Sequence, residues 1–555
     1  MASTVDDRSR TTRKGAWTFL AALSSPPLLM LAAGLLGLAA TVYPSSLAWA
    51  SLTAAVVLAP LVLLHARGAL DPYSPLAFVA WFYAIPGFVV GGALVAFGFT
   101  PAWLLALIPN PAVTFVRTQQ YLALGLAAFG GAFVLPWPAH AGQWLRARLP
   151  RAEWSPRDVL APGLILLLLG VAMALYIFRL GIIGYQQVSF GRFTAASYYF
   201  SLTFMFGVVL LWSVVFRTAS RWVVLGLVPL LLLTIPLNTV LAGNRGTPLA
   251  HVVAIGLAFA FSGRTVRARH IVLFGVMYVV SIGAGMLFGS TFRDTKVLQA
   301  IAAPPSTPAT ASSVARPAPA AAASASATVP PATAPPAAAP TKQAAGIGET
   351  NVTLTEQGQL ASKAAVVITQ RGARQNIEFI VRRVAERLEH VYMAAVVVGN
   401  YERLRPEEER LGVANNIWLW TVTGFIPRAL WPGKPIVGDA RVFASIYLGT
   451  DQTSPASSPM VDLLRNFGVV GILAGMALLG AVTRVVHVAL VAGRVPPLWC
   501  VVVYYAVLSR LSFEGSYGLL LPDTMRVAFV AVIFCLAVEA WRQLANRVTA
   551  TSPLH

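Results

Sequence analysis

Long apolar runs separated by polar loops recur along this chain and constrain its fold more than any other feature. A helix needs roughly 20 apolar residues to cross the hydrocarbon core of a bilayer. About twelve runs approach that length, near 21–43, 47–66, 74–98, 119–137, 159–178, 198–216, 222–242, 249–262, 271–290, 466–483, 496–509 and 524–541. The sequence therefore predicts an all-α polytopic integral membrane protein, with a first span that acts as a signal-anchor and not as a cleavable leader.

The distribution of basic residues predicts which loops face the cytoplasm. The net charge is +20, but the arginines lie at the ends of apolar runs instead of forming one patch, which argues against nucleic-acid binding. They follow every second span, at Arg67, Arg146, Arg217, Arg264, Arg484 and Arg542. Because positive loops stay on the cytoplasmic side, we expect both termini inside and residues 291–465 on the outer face.

This outer region separates two groups of spans and has three parts. The chain divides into an N-terminal bundle at 1–290, the outer region at 291–465 and C-terminal spans at 466–555. Within the outer region, the Ala/Pro-rich tract at 302–345 lacks the apolar side chains to form a core, which predicts disorder. Apolar residues at helical spacing predict an amphipathic helix over 371–405. The remaining loop, 415–465, is rich in Trp, Pro and Arg.

The 415–465 loop combines residue types that suit a phosphate and a sugar. Prolines at 427, 432 and 435 restrict the backbone around Arg428, Trp431 and Lys434. A guanidinium matches phosphate oxygens in two hydrogen bonds, and an indole offers a flat face on which a sugar ring can stack. An interfacial belt of Trp and Arg would have a similar composition, so that alternative stays open.

Three further ionisable groups lie at the boundaries of spans, where such groups are functional candidates. Arg245 lies between the seventh and eighth spans, Arg293 follows the ninth, and Glu514 lies between the last two. Each also has a structural interpretation. Arg245 could be an interfacial anchor, Arg293 could pair with the adjacent aspartate, and Glu514 could pair with Arg510 or Arg526.

The histidines and cysteines do not suggest a metal site. His251 and His390 are interpreted as packing or surface residues, because neither belongs to a group at metal-ligand spacing. Cys500 and Cys535 both fall in predicted spans and are interpreted as small apolar residues.

Several motifs resemble those of Wzy-type bacterial polysaccharide repeat-unit polymerases, which make O-antigen and exopolysaccharide. The stretches that carry the likeness are FIPRALWPGKP and DLLRNFGVVG, together with LAGNRG, GYQQVSFGRF and EGSYGLLLPD. The resemblance implies a GT-C-like membrane glycosyltransferase that moves a growing glycan from undecaprenyl diphosphate to a new lipid-linked repeat unit. The reaction would occur at the outer face of the bacterial inner membrane, without a cofactor or bound metal. A chain-length regulator protein is the implied partner.

The resemblance places Arg245 and Arg428 at the leaving diphosphate, which arginines can stabilise in place of a metal ion. The residues expected to contact substrate are Arg192, Arg293, Trp431, Lys434, Asp462 and Arg465. Transfer also requires a base near the acceptor hydroxyl, and Glu514, Asp462 and Asp439 are the outer carboxylates available. We favour Glu514 because it lies at the end of a span, in partly desolvated surroundings.

Two other functions stay open from the sequence. A lipid-linked glycan ligase, similar to O-antigen ligases, would share the topology and the arginine chemistry. A flippase or transporter of lipid-linked oligosaccharides would also bind diphosphate. Transporters, however, usually carry internal repeats and charges near the bilayer midplane, whereas these spans are mostly uncharged and no repeat is evident.

Overall fold

Helices and short connections make up the described part of the chain. The computed structural model describes residues 41–150, 152–179, 200–242, 247–264, 267–302, 354–387, 390–414, 417–424, 426, 431, 440–449, 457–492 and 495–551, with no strand among them. The helices are α1 (Pro44–Ala66), α2 (Pro75–Ala96), α3 (Ala102–Leu105), α4 (Pro111–Val134), α5 (Pro136–Arg148), α6 (Leu160–Arg179), α7 (Thr203–Arg217), α8 (Arg221–Ala242), α9 (Thr247–Ala260), α10 (Ala268–Ala302), α11 (Leu354–Arg387), α12 (His390–Arg410), α13 (Ile417–Gly424), α14 (Ala440–Leu448), α15 (Pro459–Leu490), α16 (Leu498–Leu508) and α17 (Tyr517–Thr551).

Many of these helices can cross a membrane. Among the described residues, seven helices are long and apolar enough to span one, and the bent pair α4 and α5 raises the number to eight. The shorter apolar helices α7, α9 and α16 lie where further spans were predicted. Residues 21–40 of the predicted first span lie outside the described part of the chain. The fold is therefore that of an all-helical multi-pass membrane protein, as the apolar runs predicted.

Small residues allow neighbouring helices to approach closely. A Cβ atom on Gly480 of α15 would lie 2.2 Å from the carbonyl oxygen of Phe129 in α4. Similarly, a Cβ on Gly170 of α6 would lie 2.1 Å from the backbone nitrogen of Phe204 in α7. Van der Waals packing drives association inside a bilayer, and these contacts need glycine at the crossing points.

The helix ends gather at two opposite ends of the bundle. One, which we call the Arg146 end, is where α5, α7, α9 and α15 finish. There Arg146 donates to the carbonyl of Ala492, and Arg217 donates at 2.7 Å to a carbonyl just past α9. The other, which we call the Glu408 end, is where α4 begins and α12 finishes, with Glu408 beside Arg465 of α15. There Asn400 donates at 2.9 Å to a carbonyl in the segment before α4.

The segment predicted as one amphipathic helix over 371–405 is divided between α11 and α12. α11 packs antiparallel to α10, since Ile380 lies beside Gly283 while Arg371 donates to the Thr291 hydroxyl at 3.1 Å. α12 runs in the opposite direction, towards the Glu408 end. Apolar periodicity continues from α11 into α12, which is why the sequence did not indicate the change of direction.

A single glycine bends α15 near its start. Gly468 has φ 67° and ψ −160°, a backbone region that is essentially restricted to glycine. The bend separates a short leg, 459–467, from a long leg, 469–490. The short leg carries charged and polar residues, and the long leg carries most of the apolar span.

Candidate functional site

The turn between α16 and α17 lies deep in the bundle. α16 has 11 residues, and at ~1.5 Å per residue this corresponds to about half of a hydrocarbon core of roughly 30 Å. The chain turns at 509–516, which we call the Glu514 turn, and α17 returns towards the Arg146 end. Phe513 in this turn packs against Phe129, with 5.4 Å between ring centroids, and stacks on Tyr83 at 6.2 Å. Glu514 is therefore held at an intermediate depth and not at the rim.

Glu514 pairs with a histidine from a distant part of the chain. The Nε2 atom of His390, the first residue of α12, lies 3.2 Å from Oε1 of Glu514. The Glu514 side chain is 32% exposed and that of His390 is 14% exposed. His390 had been interpreted as a packing or surface residue, and no local sequence signal links it to Glu514.

A π-helical stretch of α2 forms the wall beside this pair. Residues Ala80–Val90 are π-helical, and such turns occur frequently at functional sites. Gly87 in this stretch makes room for His390, because a Cβ there would lie 2.9 Å from the His390 ring. Phe82 holds Tyr278 edge-on at 5.2 Å, and Tyr278 is close enough to Glu514 for an electrostatic interaction.

The charged residues around the Glu514 turn have defined partners. Arg510 pairs with Asp523 of α17 at 3.3 Å, and both side chains are partly exposed. Arg526 donates to the carbonyl of Pro522 at 3.1 Å. Two arginines and one further carboxylate thus lie between residues 510 and 526, on either side of Glu514.

A buried ionic cluster, which we call the Glu408 network, consists of Glu408, Asp462 and Arg465. Arg465 contacts Glu408 at 2.7 Å through Nη1 and Asp462 at 2.9 Å through Nε. All three side chains are at most 5% exposed. Tyr447 of α14 donates to Glu408 at 2.9 Å. Burial and the neighbouring Glu408 charge raise the pKa of Tyr447 well above its usual range, so the phenol stays protonated and keeps donating.

The Glu408 network changes the role expected for two residues. Asp462 and Arg465 were predicted to contact substrate, and Asp462 was also a candidate base. Both are buried, and their charges are directed at each other and at Glu408. We therefore assign them to holding α12, α14 and α15 together and not to contact with substrate. A buried Arg needs such partners, because an unpaired charge in the interior is costly.

Two of the remaining predicted site residues lie in the described part of the chain, and the rest lie outside it. Trp431 is 38% exposed, and its contact with substrate stays a prediction. Arg293 lies in α10, just past the apolar span that ends at Thr291. The residues outside the described part are Arg192, Arg245, Arg428, Lys434 and Asp439.

The described site has the chemistry of proton transfer. A carboxylate beside an imidazole can accept a proton from a hydroxyl, with the imidazole fixing its orientation. Within the described ranges, no group of three or more His, Cys, Asp or Glu side chains could hold a metal ion. Cys500 and Cys535 are both buried.

Comparisons of the chain with protein-family models, with curated proteins and with solved structures find no match.

Proposed function

We propose that this protein is a membrane-embedded glycosyltransferase that polymerises undecaprenyl-diphosphate-linked oligosaccharide repeat units into a surface polysaccharide. The observation that carries the proposal is the Glu514–His390 pair, which is partly exposed at about half the depth of an apolar helix bundle. The diphosphate of a lipid-linked substrate stays near the membrane surface, and this holds the attached sugars close to the bilayer. A carboxylate below that surface suits an acceptor held close to the bilayer.

In the proposed reaction, Glu514 is the general base. It takes the proton of the acceptor sugar hydroxyl, and the hydroxyl oxygen attacks the anomeric carbon of the growing chain. The bond from that carbon to the diphosphate oxygen breaks, and undecaprenyl diphosphate leaves with the electron pair. Because attack is opposite to the leaving group, the anomeric configuration inverts. His390 orients the carboxylate through the contact of 3.2 Å between Nε2 and Oε1.

The departing diphosphate needs positive charge, which we assign to Arg245 and Arg428. Guanidinium groups bind phosphate oxygens through paired hydrogen bonds and stabilise the charge that develops on the leaving group. Trp431, Lys434, Arg192 and Arg293 would contribute contacts to the glycan and its lipid carrier. Trp431 supports this assignment by its exposure.

We also propose an orientation of the protein in the membrane and a total number of spans. Arg67, Arg146, Arg217 and Arg542 all bind carbonyls at the same end of the bundle, which supports a cytoplasmic Arg146 end under the positive-inside rule. The Glu408 end would then face the outer compartment of a bacterial inner membrane. With the span before residue 44 and the three short helices included, about twelve spans in a GT-C-like arrangement would place both termini inside.

A deletion strain tests the function. Loss of this protein should leave single repeat units on the lipid carrier or on the final acceptor, with no long polymer on a gel of the extracted glycan. If long polymer persists but stays on the carrier, the protein is a ligase. If repeat units no longer reach the outer face, it is a flippase. Either result would replace the polymerase assignment.

A further inference from the structure

The Glu408 network contacts the start of α17 through one hydrogen bond. The backbone N–H of Gly518 donates to Oδ2 of Asp462 at 3.0 Å, and Asp462 is fully buried. The first N–H groups of a helix have no partner within the helix, and a carboxylate there both accepts the bond and complements the helix dipole. Asp462 on α15 thus caps α17, although 56 residues separate it from Gly518.

The capped position lies directly after the Glu514 turn. Tyr517, the first residue of α17, donates its hydroxyl to the carbonyl of Gly475 at 3.0 Å. Gly518 lies under Trp420 of α13, where an added Cβ would come within 2.4 Å of the ring. Only Gly515 and Ser516 separate Glu514 from these fixed residues.

The rest of the network fixes the direction of the Asp462 carboxylate. Its Oδ1 atom accepts from Arg465 Nε at 2.9 Å, which leaves Oδ2 directed at α17. Arg465 is held in turn by Glu408 at 2.7 Å. Asn466 adds a bond to the Asp462 carbonyl at 2.8 Å. A carboxylate with both oxygens committed cannot rotate freely, so it defines where α17 begins.

We infer that Asp462 is a positioning residue for Glu514. Its bond to Gly518 fixes the first turn of α17, and this sets the reach of the Glu514 turn towards His390. The structural part of this inference is independent of any reaction. The catalytic part rests on the proposed function, in which Glu514 is the base.

Hydrogen exchange of the full-length protein in detergent tests the structural part. Asp462→Asn leaves one acceptor oxygen for two donors, Arg465 Nε and the Gly518 N–H. The charged guanidinium is the stronger donor, so the bond to Gly518 should be lost and amide exchange in peptides covering 512–521 should speed about fivefold or more. Ser74→Ala is the matched control, since it removes the cap that Ser74 provides to Ala77 at the Arg146 end. It should leave exchange at 512–521 unchanged. Unchanged exchange in Asp462→Asn would overturn the inference.

Asp462→Glu provides the same test should Asp462→Asn fail to accumulate. It keeps a negative charge opposite Arg465 but displaces the carboxylate by one methylene, so the bond to Gly518 should be lost. Faster exchange at 512–521 is expected again, and exchange equal to that of the unmodified protein would contradict the cap.

The pH dependence of polymerisation separates positioning from general destabilisation. The substrate is the lipid-linked repeat unit that accumulates in the deletion strain. Asp462→Asn should move the acidic limb of the rate profile, because the surroundings of Glu514 change. A purely structural role would lower the rate equally at every pH and leave the limb in place. If Glu514→Gln keeps full activity while exchange at 512–521 still responds to Asp462→Asn, the proposed function fails and the cap stands.

Discussion

The Arg146 end holds partly buried arginines and the Glu408 end holds fully buried charges, and the two ends satisfy these groups differently. At the Arg146 end, arginines bind backbone carbonyls, as Arg146 does with Ala492 and Arg217 with Pro496 at 2.9 Å. At the Glu408 end, charges meet charges, and Arg465 lies between Glu408 and Asp462. The first arrangement joins loops to neighbouring helix ends. The second joins one helix directly to another through paired charges.

A buried histidine sharpens the contrast. His487 at the Arg146 end is 1% exposed, with its Nδ1 atom 3.1 Å from the Tyr504 hydroxyl and its Nε2 atom 3.5 Å from Asp71. His390 also faces a carboxylate, and the two carboxylates are similarly exposed, at 26% for Asp71 and 32% for Glu514. The same residue types therefore occur at one end of the bundle and in its middle, and the pairs differ mainly in the histidine, which is 1% exposed in His487 and 14% exposed in His390. Position beside the π-helical stretch of α2, and neither residue type nor carboxylate exposure, singles out Glu514.

The largest expected difference between the two pairs is in activity. Glu514→Gln should reduce polymer formation about 10²- to 10⁴-fold, the usual effect of losing a general base. Asp71→Asn should leave the polymer ladder unchanged, because that pair serves the Arg146 end. Gel profiles of polysaccharide, at matched protein levels in the membrane, provide the comparison. Equal ladders for the two variants would remove the functional distinction between the pairs.

Stability should respond next, and mostly at the Glu408 end. Arg465→Met leaves Glu408 and Asp462 buried without their cation, which should cost about 3–5 kcal/mol. Arg146→Met removes a hydrogen bond to one carbonyl and should cost about 1 kcal/mol. Thermal unfolding of the purified protein in detergent measures both. A similar loss of stability in the two variants would show that the paired charges stabilise the fold no more than a hydrogen bond from arginine to a carbonyl.

A smaller effect is expected where His390 packs on α2. Gly87→Ala places a methyl group 2.9 Å from the His390 ring, and overpacking of this kind costs about 1–3 kcal/mol. His390 should move from Glu514, with a several-fold loss of polymer. Gly226→Ala is the matched control in α8, because its Cβ would meet nothing within 4 Å. That control should be neutral or stabilising by about 0.5–1 kcal/mol. Loss of polymer in Gly226→Ala without a loss in Gly87→Ala would contradict the packing argument.

The smallest effect should come from Tyr447→Phe, at about 1 kcal/mol, because Arg465 still satisfies Glu408. Since burial and Glu408 raise the folded-state pKa of Tyr447, its contribution is fully present below the unfolded pKa of about 10. It is lost only as the pH rises through the raised value. The difference in unfolding temperature between Tyr447→Phe and the unmodified protein should therefore stay constant from about pH 6 to about pH 9. A difference that shrinks over this range would indicate an ionised phenol.

The sequence predicted the apolar helices well because hydrophobicity is a local property. The run expected at 159–178 corresponds to the candidate span Leu160–Phe178, and that at 271–290 to Val272–Thr291. The amphipathic stripe over 371–405 was less successful. Val391 is buried in α12, but Ile377 of α11 is 61% exposed. A stripe shows which face is apolar, and it cannot show where the chain reverses or whether lipid or protein covers that face.

The candidate site was only partly predictable for a related reason. Glu514 was identified from its position between two spans. Its partner His390 could not be, because their contact depends on α12 beginning beside Gly87 at the depth of the Glu514 turn. Asp462 and Arg465 were identified as important polar residues, but charge alone does not distinguish a residue that binds substrate from one that holds helices together. Burial makes that distinction, and it arises from tertiary packing.

The bend at Gly468 explains why the glycines of this segment occur at fixed spacings, which composition alone does not determine. After the bend, Gly471 lies against Phe467, and Gly475 lies against the side chain of Leu463, where added Cβ atoms would come within 2.5 and 2.6 Å. The three glycines therefore follow the acid and the arginine at fixed intervals, as D-x-x-R-N-x-G-x-x-G-x-x-x-G. A distant relative that keeps this bend must keep the glycine spacing even when every apolar residue has changed. The pattern provides a physical fingerprint for recognising such chains.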